Sequence, residues 1–134
     1  MRRARAPIAA LLVLLSFAWA GCGPFGGRSD KEEAGDTVTA LIDARNQFDW
    51  PQVCDLLASS QLQKFRKAGT TCVKALPQVA QRGTTTTIRI EQVRVSGDRA
   101  TVDATVSQTG GAGRAQTILL VKESGDWKVS KVGF

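Results

Sequence analysis

Few residues of this chain are of the types that carry out chemistry, and two of the commonest catalytic types are missing. Its 134 residues include three Cys but no His and no Tyr. Without His, the serine–histidine and cysteine–histidine nucleophile systems and most zinc sites are excluded. The aspartates Asp43, Asp49 and Asp55 remain as candidates for an enzyme that uses buried carboxylates. Over such an enzyme, the sequence favours a binding domain with no catalytic residues, no cofactor and no bound metal.

The N-terminal segment predicts export from the cytoplasm. Three arginines lie within the first five residues, and the run 8–20 that follows is apolar except for Ser16. Such a run is shorter than the ~20 residues of a transmembrane helix and is typical of a secretory signal. A buried N-terminal helix is the alternative, which the missing polar face disfavours. Cleavage after residue 21 removes three arginines and no acid, and so lowers the formal charge from +6 to +3.

Cys22 is the predicted lipidation site. The sequence Ala20-Gly21-Cys22 resembles the lipobox of bacterial lipoproteins, although Trp19 stands where that family usually has Leu. In that family the cysteine receives a diacylglycerol and becomes the mature N-terminus. The resemblance implies an acylated chain, with palmitate as a typical acyl group, on the extracytoplasmic face of the cell membrane, where two acyl chains suffice for stable anchoring. The alternative is a plain secretion signal that leaves Cys22 as a spare thiol.

Cys54 and Cys72 then form an even pair in a chain predicted to be exported. An oxidising compartment favours a disulfide between them. Their spacing is not the two-residue spacing of a redox pair, and two thiols without His make a poor metal site. We therefore predict a structural disulfide, with two buried free thiols as the alternative.

Three other side chains are candidates for lining a pocket: Arg45, Trp50 and Trp127. Arg45 lies on the apolar stripe of the first predicted helix. In one interpretation its guanidinium binds an anionic ligand in a pocket. In the other its aliphatic carbons pack against the protein and its guanidinium pairs with Asp49. The two tryptophans either line the same pocket or belong to the core.

The remaining basic residues do not indicate a nucleic-acid site. The cluster of Lys64, Arg66 and Lys67 is either a solvated helix face or a contact for anionic lipid headgroups. Export and a charge of +3 disfavour nucleic acid as a partner, as does the lack of aromatic residues among the basic ones.

The elements that must position these residues fall into two halves. Apolar residues at helical spacing predict four helices in the first half. Their predicted N-terminal caps are Asp36, Asp49, Ser60, and Thr70 or Thr71. Gly69 is expected to end the third helix, and Pro77 to kink the fourth. The predicted disulfide joins the second helix to the fourth.

After Gly83 the apolar pattern changes to period two, which predicts strands. Turns at 96–99, 108–113 and 124–126 divide the segment into an antiparallel meander of four strands. Phase slips predict a bulge near residues 91–92 and a second irregularity after Val129. The third strand, over 115–121, is almost continuously apolar and is expected to be covered on both faces. This order predicts an α+β domain over 36–134, behind a flexible tether over 22–35.

The order of elements and the strand sequences at 95–102 and 125–129 resemble the nuclear transport factor 2-like fold. More closely, they resemble small exported lipoproteins of actinobacteria that carry this fold and a cysteine in each of two helices. The resemblance covers residues 36–134 and implies a helical cluster on a curved antiparallel sheet, a cone with a pocket. Isomerases of the family use Tyr and its scytalone-type dehydratases use His, and this chain has neither.

These observations predict a membrane-anchored lipoprotein of the cell envelope. Its domain is expected to be non-catalytic and to bind an apolar small ligand or an envelope protein partner. The alternative, an isomerase- or dehydratase-like enzyme of the same fold, requires Asp43, Asp49 or Asp55 inside a cavity. A third interpretation, an accessory domain docked on a larger envelope enzyme, requires an exposed apolar patch.

Overall fold

The computed structural model describes residues 28–132, in which four helices precede four strands. The predicted signal peptide and Cys22 lie outside these residues. The elements are α1 (Asp30–Asn46), α2 (Trp50–Asp55), α3 (Ser59–Lys67), α4 (Cys72–Val79), β1 (Thr86–Ser96), β2 (Arg99–Gln108), β3 (Arg114–Glu123) and β4 (Asp126–Val132). The strands form one antiparallel sheet in the order β1-β2-β3-β4. The predicted α+β class and meander are confirmed.

Helix α1 begins six residues before the predicted cap, so the assignment of Asp36 as its N-cap was wrong. Its N-cap is Ser29, whose hydroxyl accepts from the Glu32 N–H while the Glu32 carboxylate accepts from the Ser29 N–H. This reciprocal capping box fixes the helix start. The part of the predicted tether from Asp30 onward is therefore helical, and its earlier part, 22–27, lies outside the described residues.

The buried face of α1 lies across the inner face of the sheet. Val38 of the helix and Val102, Ile118 and Leu120 of the strands are almost fully buried in one core. The predicted coverage of β3 on both faces was wrong, because Leu119 on its outer face is 37% exposed. The helices cover only the inner face, and the outer face meets solvent.

Both predicted irregularities of the sheet are present. The register of β1 against β2 shifts between Ile90 and Gln92, so Glu91 is the extra residue of a bulge. Between β3 and β4, Leu119 pairs with Lys131 and Leu120 pairs with Val129, so β4 has one extra residue between its two paired positions. Each bulge keeps the apolar residues on both sides of it facing the helices.

The start of α3 is held by a strand residue far away in the sequence. The predicted cap, Ser60, was wrong: the helix starts at Ser59. The carboxylate of Glu123, at the end of β3, accepts from the Ser59 backbone N–H at 3.1 and 3.2 Å and from its hydroxyl at 2.9 Å. An anion at this position satisfies an unpaired N–H and complements the positive end of the helix.

We expect Glu123→Ala to lower the free energy of unfolding by about 1 kcal/mol, the usual contribution of a helix cap. Chemical denaturation checks the value. Ser59→Ala is the matched control, because it removes the hydroxyl bond and keeps the backbone N–H bond, and it should cost less. If Glu123→Ala were as stable as the wild type, the carboxylate would not act as a cap.

Candidate functional site

A cavity of about 330 Å³ lies between α1, α2, α4 and the inner face of the sheet. Its walls are formed by aliphatic side chains of all these elements and by Trp50, with Ile42, Leu76 and Ile118 among them. We call this space the central cavity. Of the described residues, only Arg45 and Gln108 bring charged or amide side chains to its wall.

The cavity keeps its shape because the elements around it are tied together. The predicted disulfide between Cys54 and Cys72 is present, with the two Cα atoms 5.9 Å apart, and joins α2 to α4. Asp49 accepts from the Gln52 N–H and caps α2 as predicted, with Pro51 in its first turn. Thr71 is the N-cap residue of α4, and Pro77 lies inside that helix, which ends two residues later. The disulfide therefore links the two walls formed by α2 and α4 covalently.

Arg45 is held at the rim of the central cavity by a network that sequence analysis missed. Its guanidinium donates to the hydroxyl of Thr86 at 2.5 Å, and Thr86 is only 2% exposed. The side-chain amide of the neighbouring Asn46 donates to the Thr86 carbonyl at 2.7 Å and accepts from the Thr86 N–H at 2.9 Å. The end of α1 is therefore clamped to the start of β1, which fixes the direction of the Arg45 side chain.

The predicted pairing of Arg45 with Asp49 is absent. The ion pairs within residues 28–132 are Arg28–Asp36, Arg89–Glu91, Arg94–Asp103 and Lys122–Asp30. None of them includes Arg45. The half-buried guanidinium thus faces the cavity without a carboxylate partner from the described part of the chain.

A second depression, of about 360 Å³, also has Arg45 in its wall. Arg45, Val106 and Gln108 line both spaces, and the second is also lined by Gly111, Ala112, Arg114 and Gln116. We call it the basic depression. Among residues 28–132, no acidic residue lines either space.

The structure brings two of the three candidate pocket residues to the central cavity. Arg45 and Trp50 line the central cavity, whereas Trp127 does not. Trp127 is 3% exposed and lies in the core, where Lys122 Nζ is 5.3 Å from the centre of its ring. It borders a different surface depression, at the N-terminal end of α1. Trp127 therefore acts as a core residue.

The carboxylates required by the enzyme alternative lie elsewhere. Asp43, Asp49 and Asp55 are exposed, and none of them lines the central cavity. An enzyme that uses these residues as buried acids or bases is therefore contradicted. Within residues 28–132 no cluster of residues suited to a metal ion is found, and no helix there is both long and apolar enough to cross a bilayer.

Asp30, at the start of α1, forms an ion pair with Lys122 of β3. Lys122 donates to it at 2.6 Å, and this hydrogen bond lowers the pKa of Asp30 and raises the pKa of Lys122. The indole of Trp127 adds a weaker lowering of the Asp30 pKa, although its Nε1 makes no hydrogen bond of good geometry to any described residue. This pair ties α1 to β3 at the end of the molecule away from Arg45.

We expect Asp30→Asn to reduce stability at neutral pH and to change little at the extremes. The lowered Asp30 pKa means that its contribution is present above the ordinary value of about 3.9 and is lost as the pH falls through the folded-state pKa. The raised Lys122 pKa means that the contribution is fully present below the ordinary value of about 10.4 and is lost as the pH rises through the folded-state pKa. Urea denaturation across pH measures the difference from the wild type. Asp43→Asn is the control, because it removes an exposed carboxylate that forms no ion pair within residues 28–132. An equal difference at all pH values would contradict the pairing.

The fold is shared with several solved structures. The chain is similar to a protein of the NTF2-like family from Streptomyces avermitilis that is proposed to be a dehydratase (TM-score 0.53, 17% identity, covering 77% of this chain and 92% of that one). It is also similar to an NTF2-like protein of unknown function from Shewanella baltica (0.54, 11%, 75% and 88%). A protein of unknown function with a cystatin-like fold from Nostoc punctiforme is a third (0.52, 16%, 75% and 85%). No family model matches the chain, and no curated protein matches it significantly.

These similarities show that the chain has the nuclear transport factor 2-like fold, also called cystatin-like, as the sequence predicted. At such low identity they establish the fold and leave the activity to the site itself.

Proposed function

We propose that this chain is an exported, lipid-anchored protein of the cell envelope, of actinobacterial type, whose domain binds an apolar molecule without catalysing a reaction. The observation that carries the binding function is the central cavity, which is apolar over nearly its whole wall. Its volume of about 330 Å³ lies in the range of small-molecule sites. The anchor is supported by the N-terminal sequence and Cys22.

A neutral, environment-sensitive fluorophore, N-phenyl-1-naphthylamine, tests the binding function on the full chain with Cys22→Ala, which removes the acyl acceptor. We expect its fluorescence to rise on binding, and Leu76→Trp, which fills the cavity, to abolish the rise. Leu119→Trp is the matched control, because Leu119 lies on the outer face of the sheet. No fluorescence rise with any variant would contradict an open apolar site.

Fractionation of cells tests the anchor separately. We expect the wild type in the membrane fraction, labelled by radioactive palmitate, and Cys22→Ala in the soluble fraction without label. Trp19→Leu restores the usual lipobox residue and should increase the processed fraction. A membrane-bound, unlabelled Cys22→Ala protein would show that the lipoprotein proposal is wrong.

A further inference from the structure

We propose that the central cavity and the basic depression form one continuous site for a single-chain amphiphile with an anionic head. The apolar chain occupies the central cavity, and the head lies at Arg45 and extends toward Arg114. This inference rests on the proposed binding function and adds the chemical class of the ligand.

The two spaces share part of their walls. Arg45, Val106 and Gln108 line both, so a molecule that extends past these side chains occupies both spaces. At about 30 Å³ for each water-sized group, the central cavity holds on the order of ten non-hydrogen atoms. An apolar chain of that size matches the apolar wall of the central cavity, and a polar end on the same molecule matches the basic depression.

The strand register explains why polar groups meet at this end of the inner face. Residues directly opposite on antiparallel strands point to the same face. Thr86 pairs with Gln108, and Val106 pairs with Arg114. Along β3, the alternation runs from buried Ile118 back through Gln116 to Arg114 on the same face. The inner face therefore changes from apolar to basic at the open end of the cavity.

The charged groups around Arg45 favour a ligand whose head group is negatively charged. Arg45 is half-buried, and the described part of the chain gives it a hydroxyl partner, Thr86, but no carboxylate. A guanidinium has five N–H donors in a planar fork, so donors remain after this bond. A partly desolvated cation gains from an anion that it can bind through two parallel hydrogen bonds. The clamp of Thr86 and Asn46 holds Arg45 in place before the ligand arrives, which limits the entropy lost on binding.

Three ligands that differ only in the head test the proposal: decanol, decanoate and decyl phosphate. Displacement of N-phenyl-1-naphthylamine from the full chain with Cys22→Ala gives their relative affinities. We expect one or both anions to bind about ten-fold or more tightly than decanol, as a charge-assisted hydrogen-bonded pair provides. The two anions distinguish a carboxylate ligand from a phosphate ligand.

The variants locate the head. Arg45→Gln should remove most of the preference for the anion, measured as the ratio of anion affinity to decanol affinity within the same variant. Arg114→Gln, an exposed position, should reduce the affinity of the same anion by a smaller factor, and Arg45→Lys should retain part of the preference. Arg66→Gln on α3 removes the same charge away from both spaces and should have no effect.

The outcomes separate this inference from the proposed function. If decanol and both anions bind equally, or if Arg45→Gln and Arg66→Gln behave alike, the anionic head is wrong while the apolar site stands. If the fluorophore and all three ligands fail to bind, the proposed function fails as well.

Discussion

Changing both Cys54 and Cys72 to Ala is expected to lower the free energy of unfolding by about 3 kcal/mol. The bridge closes a loop with a sequence separation of 18, and a loop of about this length restricts the unfolded chain by roughly that free energy. For a domain of this size, such a loss lowers the melting temperature by about 10–20 °C. Thermal and chemical denaturation of the double variant and the wild type measure the effect.

Loss of the disulfide is also expected to affect binding at the central cavity. Helix α4 contributes Leu76 and Val79 to the central cavity, its C-cap residue Ala80 also lines it, and the bridge fixes the first residue of the helix to α2. We therefore expect the double variant to bind N-phenyl-1-naphthylamine more weakly even where it is still folded, because one wall of the cavity is less constrained.

Reduction of the wild type is the control for the cysteine substitutions. Reduced wild type and the double variant should unfold at similar midpoints, since both lack the covalent link and differ only in two small side chains. If reduction left the midpoint unchanged, the link would contribute nothing to stability, and the helices would be held by their other contacts alone.

The features that were predicted correctly from the sequence depend on local signals. Asp49 followed by Pro51 specifies the start of α2 through short-range capping and the fixed φ of proline. The β1 bulge was visible because the apolar phase changes between Ile90 and Val93, and a sheet with one buried face does not tolerate such a change without an extra residue.

The helix starts that were predicted wrongly have two different physical origins. The Ser29–Glu32 box was present in the sequence, but the apolar stripe begins only at Val38, so the first turns of α1 show no helical periodicity. The cap of α3 comes from Glu123, 64 residues away. No local pattern specifies it, because the third strand must first be placed beside the helix.

For the same reason, only part of the candidate site could be predicted from the sequence. Arg45 was noticed because a cation interrupts an apolar stripe within a single helix. Thr86, Gln108 and Arg114 reach the site only through strand pairing. The signal that would have indicated Arg114 is the period-two pattern of β3, extended backward from Ile118 beyond the point where the apolar run stops.

Trp127→Ala is expected to cost about 3–5 kcal/mol, the usual cost of removing a large aromatic side chain from a core. Trp127 is 3% exposed and belongs to the core cluster with Val38 and Val129. Lys122 above its ring adds a cation–π contact that the alanine also removes. Urea denaturation at neutral pH measures the change in the free energy of unfolding.

Trp127→Phe is the informative comparison, because it keeps an aromatic ring and removes only the indole nitrogen and part of the volume. The Nε1–H is buried, and no residue within 28–132 accepts a hydrogen bond from it. A donor of this kind carries a desolvation penalty of about 1–3 kcal/mol. Removing that penalty offsets the loss of packing, so we expect Trp127→Phe to cost less than about 1.5 kcal/mol.

If Trp127→Phe were as costly as Trp127→Ala, the indole nitrogen would be engaged in the native protein, and the Asp30 carboxylate, whose pKa it helps to lower, would be the first partner to test. A double-mutant cycle decides this. When the indole donates to Asp30, Trp127→Phe costs less in the Asp30→Asn background than in the wild type, whereas independent residues give additive effects. The cycle thus separates a tryptophan that only fills the core from one that also orients the charged pair joining α1 to β3.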